Sequence, residues 1–105
     1  MDRTSRVWHE QVSSAESASE VLWCARNYLV TWPRSRLARL PLGCRPSWVD
    51  DATDIHAWHR KLVDEQINGT NRLSDADLEE VVDFFARAAA RLVFLEREAR
   101  GAHAR

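Results

Sequence analysis

Histidines at positions 56 and 59 stand three residues apart, a spacing that puts two imidazoles on one side of a helix. With Asp54 and Glu65 nearby in sequence they form the beginnings of a metal site. A metal site needs three or four donors, however, and the spacing is not the His-Glu-x-x-His arrangement of metalloproteases. The remaining candidates, His9, His103, Cys24 and Cys44, are scattered along the chain. The pair is therefore expected to be structural, with His59 half-buried in a core and His56 a boundary residue beside Val63. Neither a metal nor a cofactor is expected.

Thiol chemistry needs a stabilised thiolate beside a base. Cys24 sits among Leu22, Trp23 and Ala25 in an apolar helical run, which suits a buried spacer. Cys44 lies in an arginine-rich stretch, a more electropositive setting that would favour reactivity, but a single loop cysteine is a weak signal. The carboxylate pairs Asp50-Asp51 and Glu79-Glu80 fall at helix starts, where capping and the helix dipole explain them without acid–base work. No glycine-rich phosphate loop, nucleophile elbow or dinucleotide fingerprint occurs, so an enzyme is not expected.

Two constellations remain. Between Pro33 and Pro46 the chain carries Arg34, Arg36, Arg39 and Arg45 and no acid, with Trp32 before and Trp48 after. Guanidinium groups on phosphates and an indole on a base would make this a nucleic-acid site. Four arginines are few for that, and a helix-turn-helix built here would point Asp50, Asp51 and Asp54 at the phosphates. The competing expectation is a solvated loop whose arginines pair with the acidic starts of the following helices. The second constellation is aromatic: five tryptophans, at 8, 23, 32, 48 and 58, in 105 residues. Filling a small core explains some of them. Trp23 with Val30, and Phe94 among Arg87 and Arg91, fall off the core stripes traced below, and aromatic residues and arginine are enriched at interface hot spots. Trp23, Val30, Phe94, Arg87 and Arg91 are thus the expected partner-binding residues, for a second copy of the chain or another protein, with nucleic-acid binding through the four connector arginines as the alternative.

The elements that must position these residues are helical. Three glycines and three prolines are too few to turn a sandwich or barrel. Two overlapping capping boxes, Ser13-x-x-Glu16 and Ser17-x-x-Glu20, open a first helix over about 13–32, with Ala18, Val21, Leu22, Ala25, Leu29 and Trp32 on one face, Tyr28 at its edge, and Pro33 as its stop. A Pro/Arg-rich connector with room for a helical turn follows, anchored by Leu37, Leu40 and Leu42. A second helix spans about 51–68, with Trp48 and Val49 stapling its start, Ile55, Trp58, Leu62 and Gln66 on its face, and Gly69 as a left-handed cap. The third runs from Ser74-x-x-Asp77 to Arg100, stopped by Gly101, over a stripe of Leu78, Val81, Val82, Phe85, Ala89, Leu92 and Val93, widened on one side by Phe84, Ala88 and Leu95. Asp83 with Arg87 and Glu96 with Arg100 are spaced as ion pairs. The expected architecture is an all-α bundle of three main helices: one domain over 13–101, after an N-terminal arm 1–12 whose Val7 and Trp8 could fold over Phe94, and before a frayed tail 102–105.

Composition agrees with a folded globule, 45% apolar and 30% charged. Residues 1–49 carry seven arginines against four acids and residues 50–105 eight basic residues against twelve acids, so the halves are +3 and −4 within a net charge of −1. That dipole suits self-complementary packing, inside the domain or across a dimer. No apolar run approaches the ~20 residues that span a bilayer, and the polar start Met1-Asp2-Arg3-Thr4-Ser5-Arg6 lacks a signal peptide's apolar stretch, so a cytoplasmic protein is expected. Fourteen of fifteen basic residues are arginine, which fits a GC-rich bacterial genome.

Overall fold

The computed structural model describes residues 3–41, 44–69 and 72–103, with the side chains of residues 3, 4, 48, 102 and 103 left aside. The described residues form five α-helices and no strand: α1 (Arg3–Ser13), α2 (Ala18–Val30), α3 (Arg34–Leu37), α4 (Ala52–Asn68) and α5 (Asp75–His103), with a single 3-10 turn at Pro46–Trp48. The three main helices are those expected, α2, α4 and α5. At about 1.5 Å per residue the 29-residue α5 is some 44 Å long, and it sets the 48 Å long axis of the molecule. It packs against α4, α1 and α2, so it is the element the others share.

That central position explains why α5 buries more than a single stripe. Phe84 and Phe85 are adjacent in sequence and about 100° apart around the helix, and both are fully buried. Phe85 stacks on Trp58 of α4 at 4.8 Å between ring centroids, while Phe84 stacks on Tyr28 of α2 at 4.0 Å. Val81, Ala88 and Leu92 complete the buried arc, and Val93, expected in the stripe, is left at the surface. On α4 the face is Ile55, Trp58 and Leu62, with Gln66 and Ile67 exposed. The indole N–H of Trp58 is buried without an acceptor among the described residues, a cost of about 1–3 kcal/mol that the packing of the ring must offset.

The residues expected as an arm are helix α1. Ser5, Trp8, His9 and Val12 recur at three- and four-residue steps and face inward. Trp8 packs edge-on against Trp23 at 5.5 Å, so it covers α2 and not Phe94. The first capping box does not form, because the Ser13 hydroxyl donates to the His9 carbonyl at 2.9 Å and closes α1. Ser17, in extended conformation, is the cap of α2: its hydroxyl accepts from the Glu20 amide, and the Glu20 carboxylate accepts from the Glu16 amide at 2.7 Å. The boundary therefore moves from 13 to 18.

Two glycine expectations are corrected. Gly69 is extended, with φ −80° and ψ 176°, and not left-handed. Its amide donates to the Glu65 carbonyl at 2.9 Å, and a β-carbon there would collide with Glu65, so close approach is what requires glycine. Gly101 does not stop α5, which continues to His103; a glycine in an open final turn costs only about 1 kcal/mol, and no neighbour crowds it. The starts of α4 and α5 follow the sequence. Asp51 and Asp54 form a complete capping box, and the Ser74 hydroxyl accepts from the Asp77 amide at 3.2 Å. Residues 104 and 105 of the expected tail, Leu42 and the Trp48 side chain lie outside the described residues.

Candidate functional site

Helix α2 has two aromatic sides. Its inner side carries Tyr28, Leu29 and Val21 into the core. Its outer side carries Trp23, 53% exposed, and seven residues later Val30, 80% exposed, which two helical turns place on the same face. Half-buried Trp8 of α1 closes one edge of that strip. On the other side Arg26 donates through Nε to the Val49 carbonyl at 2.8 Å, tying α2 to the segment before α4. Asn27, between the two apolar residues, donates to the Trp23 carbonyl at 2.8 Å, which folds one of its amide N–H groups back onto the helix. The result is a short apolar surface framed by two fixed neighbours.

Phe94, 44% exposed, is placed differently. The Arg91 guanidinium lies over its ring at 4.5 Å and donates through Nε to the Ala15 carbonyl at 2.6 Å. Arg87 pairs with Asp83 at 2.9 Å and reaches the Ser13 hydroxyl at 3.3 Å. These two arginines thus fasten the corner between α1 and α2 onto α5. The five expected partner-binding residues do not make one site: Trp23 and Val30 share a face of α2, whereas Phe94, Arg87 and Arg91 belong to the corner clasp.

The connector arginines are also divided. Arg36 stacks on the Trp32 ring at 4.9 Å and pairs with Asp77 at 3.5 Å, which is the pairing with an acidic helix start expected for a solvated loop. Arg34 and Arg39 are exposed around the four-residue α3, and Arg45 is exposed but engaged. Leu40 anchors the connector in the core and Leu37 is half-buried against it.

Neither cysteine has a reactive setting. Cys24 is buried, and burial raises its thiol above the usual range. Cys44 is buried as well, although its sequence neighbours are cationic, and burial pushes its thiol up to about 11. His59 is half-buried and held below the usual histidine range, first by burial and then by His56 beside it. No group of three or more ligand side chains converges among the described residues.

One cluster escaped the sequence reading. His9, treated as isolated, is 2% exposed where α1, α2 and α5 meet. Its ring packs edge-on against Tyr28 and Phe84, at 5.4 and 5.3 Å. The Tyr28 hydroxyl donates to the Glu80 carboxylate at 2.6 Å, and Asp83 lies 3.6 Å from the His9 Nε2. Burial, and then the adjacent Glu80 carboxylate, raise the Tyr28 hydroxyl far above its ordinary range, so it remains a donor. The available signal was the 5, 8, 9, 12 spacing, which marks an amphipathic helix in what composition suggested was an arm. Glu79, Glu80 and Asp83 also line an open depression of about 540 Å³ beside Gln66.

No helix among the described residues is long and apolar enough to cross a membrane. No protein-family model matches the chain, and neither a curated protein nor a solved structure matches it.

Proposed function

We propose that this chain works by protein–protein contact, as an accessory or regulatory factor of bacterial type that docks a partner or a second copy of itself on the outer face of α2. One observation carries the reading. Trp23 and Val30 stand on one helix face, about half and four-fifths exposed, with Trp8 fixed against Trp23, in a chain that buries Tyr28, Trp32, Trp58, Phe84 and Phe85. Tryptophan is the residue type most enriched at binding hot spots, and a rigid, partly supported indole loses little entropy on docking. The nucleic-acid alternative retains Arg34 and Arg39 as outward cations, since Arg36 is committed to Trp32 and Asp77. Two phosphate contacts give weak binding with a shallow salt dependence, so the aromatic face is preferred.

The test compares the wild-type chain with Trp23→Ala and Val30→Asp in light scattering and in affinity capture from the native host, with circular dichroism verifying the helices. Loss of the dimer or of a reproducible partner in both variants, with unchanged helicity, is the expected outcome. A chain that stays monomeric at high concentration and captures the same proteins with or without Trp23 removes the reading.

A further inference from the structure

The His9 ring is buried at the three-helix junction with an acceptor at each nitrogen. Nδ1 lies 2.6 Å from the Ser5 carbonyl oxygen, one turn back on α1. Nε2 lies 3.1 Å from the Glu80 carbonyl oxygen on α5. Backbone carbonyls accept and never donate, so both contacts together require an N–H on each nitrogen, and the ring that makes them is the doubly protonated one. A neutral imidazole keeps one N–H and would turn a lone pair toward the other carbonyl. The charged groups around the ring are few. From α5 they are Asp83, with Oδ2 3.6 Å from Nε2, the carboxylate of Glu80, and Arg87, which pairs with the same Asp83 oxygen at 2.9 Å. From α2 there is the Tyr28 hydroxyl, held by Glu80, and from α1 itself the Ser5 carbonyl faces the ring.

We infer that His9 is a pH-sensitive latch: its two-donor form pins α1 across α2 and α5, and loss of one ring proton loosens that helix. The direction follows from the donors. Both contacts are present while the ring carries a proton on each nitrogen, and one is lost when rising pH removes either proton. The Nε2 contact is the one that crosses between helices, so its loss acts on docking and not on the helicity of α1 alone. Beneath the ring lie Tyr28 and Phe84, whose stacked pair α1 covers, so loosening uncovers aromatic surface. Asp83 answers to two cations, and Arg87 keeps its pairing when His9 becomes neutral.

The experiment is carried out on the full chain between pH 5 and 8.5. Long-range proton–nitrogen correlation spectra of the imidazoles report how many protons the His9 ring carries, and amide exchange normalised to the intrinsic rate reports the docking of α1. Expected is a ring protonated on both nitrogens at the acid end, and at least a tenfold loss of α1 protection as it becomes neutral, while α4 keeps its protection. His9→Phe retains an aromatic ring against Tyr28 and Phe84 and is expected to abolish the pH dependence. A His9 ring that is neutral throughout the folded range overturns the inference, as does α1 protection that does not change when the ring loses its proton. So does the same pH-dependent loss in His9→Phe; where that variant does not fold, the two wild-type measurements decide.

Discussion

The two sides of α2 use the same kinds of residue for opposite ends. On the inner side Tyr28 is stacked on Phe84 at 4.0 Å, bonded to Glu80 at 2.6 Å and closed over by His9. On the outer side Trp23 packs edge-on against Trp8 and is about half exposed, and Val30 stands in the open. Aromatic content alone therefore says little about interaction. What separates them is that Tyr28 has a partner for its hydroxyl and a ring stacked on its face, whereas Trp23 keeps about half of its surface exposed.

The largest test of that contrast is truncation of the inner side. Phe84→Ala removes the ring that joins His9, Tyr28 and Phe85, and should lower unfolding stability by about 3–5 kcal/mol in chemical denaturation. A loss near the surface range would mean that the junction is not the close-packed region described. Next is Tyr28→Phe, which keeps the stack and leaves the Glu80 carboxylate without its donor; about 1.5 kcal/mol is expected.

The same hydroxyl gives a pH test, since Tyr28 is the chain's one tyrosine. Its ionisation is pushed upward in the folded state, mainly by burial. The unfolded chain therefore releases the proton first, and stability should be full below about pH 10 and fall as pH rises above it. Phenolate absorbance should appear only together with unfolding. Absorbance that rises near pH 10 in the folded chain would show an open junction.

The outer side should respond weakly. Trp23→Ala loses one edge-on contact and should change stability by no more than about 1 kcal/mol. Val30→Ser should change it by less than about 0.5 kcal/mol. If Trp23 proved as costly to remove as Phe84, the outer face would be part of the core, and its availability for a partner would go with it.

Much of this was legible from spacing. The three-and-four periodicity located Ile55, Trp58 and Leu62 on α4 and Val81, Phe85 and Leu92 on α5, and it set Trp23 and Val30 apart from the buried face of α2. The ion pairs Asp83–Arg87 and Glu96–Arg100 were likewise fixed by helix geometry, at 2.9 and 2.6 Å. The fate of Phe94 was not, because a helical wheel places it among arginines without saying that Arg91 would lie over its ring. Nor was the burial of Cys44 legible: its sequence neighbours are cationic, but its spatial surroundings are the core.

Local physics thus determined, from the sequence itself, that this protein is all-helical, where α4 and α5 begin, and which faces of its three long helices are apolar. Capping and periodicity act over three or four residues, and no distant partner is needed to apply them. Tertiary structure decided that residues 3–13 pack as a helix, that Ser13 closes it in place of opening the next, and that α5 is buried on two sides. It also decided that His9, Tyr28, Glu80 and Asp83 meet. Those residues are separated by up to 74 positions, and each contact depends on where α5 lies between its neighbours, which no local pattern encodes.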